Sequence, residues 1–151
     1  HKSTKKMFII NTLMYVYIAM VLYVTLMPFP IPLLNGTNNL FLNTVNLIPF
    51  RDSRLNYHGS IREVLLNVIM MMPFGFLYPI IKKSGMLRTV TIGFLFSLTI
   101  ESAQLLSAFW GGISSRTFDV TDLITNTFGA LLGYLFFILL KPIVLVVFDE
   151  K

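Results

Sequence analysis

Asp119, Asp122 and Asn126 recur at i, i+3 and i+7 within Arg116–Gly133, RTFDVTDLITNTFGALLG, and Gly129 and Gly133 continue the spacing. On an α-helix these five positions share one face, away from Ile124, Phe128, Leu131, Leu132 and Leu135. Two carboxylates and an amide on one stripe can hold protons, accept hydrogen bonds or orient a cation, and they suit a protein or ligand surface rather than lipid. Glu63 and Asn67 at i, i+4, and Glu101 and Gln104 at i, i+3, repeat this chemistry in two other segments. Arg51, Arg54, Arg62 and Arg116 flank the same segments, and arginine's planar fork suits phosphate and carboxylate. Glu101, Asp122 or Glu63 could then serve as general acid and base, with arginines orienting a phosphate. The residues admit an enzyme without showing one.

Several other chemistries drop out. There are no cysteines, so thiolate metal sites, disulfides and cysteine nucleophiles are absent together. Of the two histidines, His1 is treated as a tag remnant without functional weight, and His58 as an exposed loop residue. No serine–histidine constellation stands out. Carboxylates can hold magnesium or calcium, but a lone D-x-x-D beside arginines does not make a cation site. No metal and no cofactor is expected, and no nucleic-acid partner.

The elements that must position these groups belong to a membrane. The chain has 151 residues, is 55% hydrophobic and 13% charged, and has a mean hydropathy of +0.74. A soluble domain carries roughly a quarter charged residues. Four runs are long enough to cross a bilayer, which takes about 20 residues: Met7 to Met27, Ser60 to Ile81, about Leu87 to Phe109, and about Asp119 to Leu140. The first is not read as a removable signal peptide. Ser60 with Glu63 makes a capping-box pattern, and Pro73 is expected to kink the second run. Pro142 to Lys151 is too short to cross and should lie at the interface. The fold class is thus all-α, an integral membrane bundle of four transmembrane helices in a single domain spanning 1–151.

Orientation follows from lysine and arginine near the helix ends. With the N-terminus inside, Lys2, Lys5, Lys6, Lys82, Lys83, Arg88, Lys141 and Lys151 are cytoplasmic, against Arg51, Arg54, Arg62 and Arg116 outside. The expected topology is N-in/C-in, with a long external loop between helices 1 and 2 from Pro28 to Gly59. Its apolar piece around Leu40 to Phe50 could dip into the outer interface. Every external cation is then an arginine.

Counting from helix ends places Glu63 and Asp122 about one turn below the outer surface, and Asn67 and Asn126 about two. Gln104 and Glu101 fall at similar depths on the third helix. A carboxylate at the bilayer centre costs at least ~2.5–3.5 kcal/mol when uncompensated, so Glu101 must be protonated, paired or bathed by water. The expected object is an outward-facing cavity lined by Glu63, Asn67, Glu101, Gln104, Asp119, Asp122, Asn126 and the four arginines. Plainer readings exist for each part. Glu101 and Gln104 could form an interhelical clasp, Asp119 a helix N-cap, and Asn126 a packing amide. GALLG, Gly129 to Gly133, reads as a close-packing seam that also offers a contact for homo-oligomers.

NLIPF at Asn46 to Phe50, N-x5-PFGF from Asn67 to Phe76, E-x2-Q at Glu101 and Gln104, and R-x2-D-x2-D-x3-N-x2-G from Arg116 to Gly129 together resemble the VanZ-like family. These are small bacterial membrane proteins associated with teicoplanin resistance. The likeness covers roughly residues 45 to 133. It implies a multi-pass protein of the bacterial plasma membrane that lowers sensitivity to a lipoglycopeptide-like antibiotic, and it brings no reaction with it. Joined to the depth count, it gives an expected function. The outer pocket binds an anionic lipid-linked or cell-envelope molecule, so the expected partner is a membrane lipid or lipid-linked envelope precursor. The alternatives are a membrane enzyme acting on such a precursor or a phospholipid, and a small transporter or flippase. The last is disfavoured by the lack of polar residues in the inner halves.

Overall fold

A backbone in hydrocarbon must satisfy its N–H and C=O groups within its own segment, so each apolar run is driven to helix. The computed structural model describes residues 2–28, 41–110 and 118–148, and it places a helix on each of the four runs. They are α1 (Lys2–Leu26), α3 (Ser60–Lys82), α4 (Met86–Phe109) and α5 (Val120–Phe148), with a short α2 (Arg51–Arg54) and a 3-10 turn (Phe41–Thr44) between the first two. All four are long and apolar enough to cross a membrane. No strand occurs among the described residues.

The ends differ from expectation in three places, the first being α1, which starts at Lys2 rather than Met7. The pattern at Ser60 and Glu63 does not form a capping box. Gly59 is the N-cap at φ 94, a conformation that favours glycine, without a side-chain cap bond. Glu63 N–H instead donates to the Gly59 carbonyl at 3.0 Å. The helix α3 continues through both Pro73 and Pro79. Finally, α5 does not stop at Leu140 but runs through Pro142 to Phe148, making the expected interfacial tail part of the same helix. Pro142 removes a single N–H, and with Lys141 beside it that turn lies close enough to water for the freed carbonyl to be met there.

Hydrogen bonds fix how the helices run. Gln104 near the end of α4 donates to the Thr25 carbonyl near the end of α1 at 3.1 Å. Asn67 near the start of α3 donates to Asp122 near the start of α5 at 2.7 Å. One end of the bundle therefore gathers the C-terminal ends of α1 and α4 and the N-terminal ends of α3 and α5. The parallel pair α3/α5 packs closest. A Cβ on Gly129 would collide with the Val68 carbonyl, one on Gly133 with the Met72 carbonyl, and one on Gly75 with the Ala130 carbonyl. Ala130 is fully buried between Gly75 of α3 and Gly93 of α4. Small residues here let backbones touch, which is how membrane helices gain packing energy without a hydrophobic drive.

The core beneath this seam joins Met14 of α1 to Met71 and Phe74 of α3 and Ala130 of α5. Phe74 stacks on Tyr78 and Phe96, with centroids 5.3 and 5.7 Å apart. Tyr17 anchors α1 by donating its hydroxyl hydrogen to the Met70 carbonyl at 2.8 Å. Outward faces carry exposed Phe8, Tyr15, Tyr23, Leu87 and Leu139, a surface suited to lipid.

Candidate functional site

Asp119 is where the polar end of the bundle is tied together. It precedes α5 as its N-cap, and its Oδ1 accepts the Thr121 N–H at 2.7 Å, the bond a helix start needs. Its Oδ2 accepts from Asn46 Nδ2 at 2.8 Å. Its own N–H donates to Glu101 Oε2 of α4 at 3.0 Å. The backbone of Asn46 pairs on either side of it, donating to the Phe118 carbonyl at 2.8 Å and accepting from Val120 N–H at 3.0 Å. The result is an isolated parallel bridge between Asn46 and Asp119. Asn46 is only 4% exposed. Its Oδ1 turns the following chain by accepting Ile48 N–H at 3.2 Å, and Phe50 N–H then donates to Thr121 Oγ1 at 3.0 Å.

Glu101 is 1% exposed and sits at the joint between α4 and the N-terminus of α5. Its Oε2 accepts one of the backbone N–H groups that a helix start leaves without an intrahelical partner. Asp122, one turn into α5, is held by Asn67. One turn deeper, Asn126 donates to Ser97 Oγ of α4 at 2.9 Å, and its Oδ1 is buried without a hydrogen-bond partner. The interhelical clasp expected of Glu101 and Gln104 exists at both residues: Gln104 reaches the Thr25 carbonyl of α1, and Glu101 the start of α5.

Glu63, Asp119 and Asp122 come together with Asp52 of α2 around a small cleft of about 20 Å³, with Ser60 and Thr121 completing its polar wall. That is room for about one water. Within the described residues, no group of acidic and histidine side chains has an arrangement able to hold a metal ion. The arginines stand apart from the cleft. Arg51 pairs with Asp52 at 3.2 Å on the exposed surface, Arg54 donates to the Pro49 carbonyl at 2.6 Å, and Arg62 is exposed at the start of α3. Arg116 lies outside the described residues. Carboxylates thus line the cleft, and Arg51, Arg54 and Arg62 are exposed outside it. The carboxylates accept N–H and O–H groups, while the arginines offer forked donors to anions.

The sequence reading named every acidic member of this end except Asp52, and it passed over Asn46, Ser97 and Thr121. Asn46 opens the NLIPF motif, so its signal was present. Nothing local indicated that its partner lay 73 residues away. The motifs quoted above are physically one object: NLIPF docks on the start of α5, and Glu101 of E-x2-Q receives the N–H of the aspartate between them.

A family model described as VanZ/LLP1 matches residues 14–141, reaching beyond these motifs into α1 and to the far part of α5. No curated protein and no solved structure matches the chain. With the match running across all four long apolar helices, the chain belongs to the VanZ/LLP1 family and is a VanZ-like multi-pass membrane protein.

Proposed function

We propose that this protein contributes to resistance against teicoplanin-type lipoglycopeptides by holding an anionic, lipid-linked cell-envelope molecule at the Asp119 end, which faces the outside of the plasma membrane. The observation that carries this reading is the joining of NLIPF, Glu101 and the start of α5 in one hydrogen-bonded node, beside exposed arginines. Arg51, Arg54, Arg62 and Arg116 contact phosphate or carboxylate. Glu63 and Asp122 meet hydroxyl or amide donors of the same molecule, with Asn67, Gln104 and Asn126 as neutral hydrogen-bonding groups. Asp119 holds the node in shape, and Glu101, bonded to it, also handles a proton as the molecule binds.

An enzyme acting on the same class of lipid-linked precursor or on a phospholipid is the second reading. It is supported by Glu63 and Asp122 lining one cleft, a pair able to exchange protons with a bound group. Transport receives less support, because every described carboxylate lies at one end of the helices and none at the other.

The test is antibiotic susceptibility of a sensitive Gram-positive host expressing the wild type or the variants Arg116→Lys and Glu101→Gln. Membrane insertion is checked by fractionation. Both variants are expected to insert normally and lose protection, since lysine cannot fork and glutamine cannot carry charge. Protection equal to wild type in both would end this proposal. Turnover of purified membrane lipids, abolished by Asp122→Asn with binding retained, would select the enzyme.

A further inference from the structure

A second cavity lies at the other half of the bundle, between α3 and α5. It is an apolar groove of about 310 Å³, lined by Met72, Phe76 and Leu77 on one side and Gly133, Phe136 and Leu140 on the other. Gly133, where a Cβ would collide with the Met72 carbonyl, keeps the two helices in contact along it. We infer that this groove binds one acyl chain of an anionic phospholipid, whose phosphate is held by Lys83, Lys82 and Lys141.

Three observations select this occupant. The first is shape and lining. The groove runs about 10 Å along the helices from Gly133 to Leu140, and every residue along it is apolar, the surroundings an extended hydrocarbon chain needs. The second is depth. Met72 lies ten residues before Lys82, or about 15 Å along the helix, half the ~30 Å hydrocarbon thickness. A chain entering from the lysine end would reach the bilayer midplane where the groove closes.

The third is charge. Lys83 lies seven residues beyond Phe76, on the same face of α3, and is its exposed C-cap. Lys82 precedes it, and Lys141 directly follows Leu140. All three are exposed, and their long stems allow the ammonium groups to reach the headgroup level. No acidic residue lies at this end among the described residues. Basic residues near a membrane surface favour anionic lipid. The inference is separate from the outer-end proposal, because it uses other residues at the opposite end and holds in either orientation.

Native mass spectrometry of the detergent-purified full chain tests it, with phosphatidylglycerol or phosphatidylcholine titrated at equal concentration. Wild type should retain one phosphatidylglycerol at least fivefold more than phosphatidylcholine. The triple variant Lys82→Gln, Lys83→Gln, Lys141→Gln should lose that preference. Leu77→Trp, which fills the groove, should reduce retention of both lipids. Glycerol 3-phosphate, which has the headgroup charge without chains, should not displace the bound lipid. Equal retention of both lipids by wild type would overturn the inference, as would an undiminished preference in the triple variant. Displacement by glycerol 3-phosphate would point to a phosphate-only site and equally refute it. Monodispersity on size exclusion confirms that the variants fold, and the lysine changes alter only exposed positions.

Discussion

A carboxylate that accepts a backbone N–H, as Glu101 does from Asp119, can be exchanged for an amide without losing the acceptor. Glu101→Gln should therefore remain within about 1 kcal/mol of wild type in thermal unfolding in detergent. Glu101→Leu, which strands a donor at the start of α5, should lose about 1–3 kcal/mol. Asn46→Ala should cost a similar amount, since it removes the partner of Asp119 Oδ2 and the acceptor for Ile48 N–H. If Asn46→Ala melts with wild type, the node is not what holds this end. The contrast at Glu101 separates stability from function, because the glutamine variant should be stable and yet fail to protect. Residue identity was legible here to a limited degree. Counting along helices put Glu101 level with Asn126, but Glu101 sits at the start of α5, bonded to the Asp119 N–H, and Ser97 is what meets Asn126. Counting carries the error of the helix end it starts from and leaves azimuth open, so it could not tell that acids would line the cleft while Arg51, Arg54 and Arg62 stayed outside it.

At the scale of elements, the α3/α5 seam is built on backbone contact, and such contact tolerates no added carbon. Gly75→Val and Gly129→Val meet carbonyl groups that cannot rotate away, and overpacking of this kind costs about 1–3 kcal/mol or more. Both are expected to yield little monodisperse protein from membranes. Gly85→Ala provides the control, with an extended backbone and nothing within 4 Å of the added carbon. Yields from Gly75→Val and Gly129→Val equal to that control would refute the close seam. The GALLG spacing revealed Gly129 and Gly133, since the small-xxx-small pattern has a known use. Gly75 and Gly93 carried no comparable signal, because a solitary glycine in an apolar run reads the same whether it meets lipid or another helix. The helix starts and stops followed the apolar runs closely except at Pro142, where neighbouring lysine and water weaken proline's power to end a helix.

For the whole molecule, the four spans were legible because the bilayer imposes one length and one composition on each. The pairing of those spans was not, since helices that are apolar on most sides give no strong indication of which neighbour each will face. The charge division leads to an orientation that can be measured directly. Because the chain has no cysteine, single substitutions report without background. In the N-in/C-in topology, His58→Cys should react with a membrane-impermeant maleimide on intact cells, and Lys83→Cys only after permeabilisation. The reverse pattern would turn the Asp119 end inward and remove the external site. The bridge between Asn46 and Asp119 has a further consequence, for biogenesis. Asn46 is synthesised long before its partner, so the connection after α1 must wait with its amide and carbonyl unmatched until α5 arrives. A nascent chain halted before Phe118 already carries Asn46 and Glu101, but not Asp119, to which both of them bond. Completion of this end is therefore set by the latest of the four helices to be made.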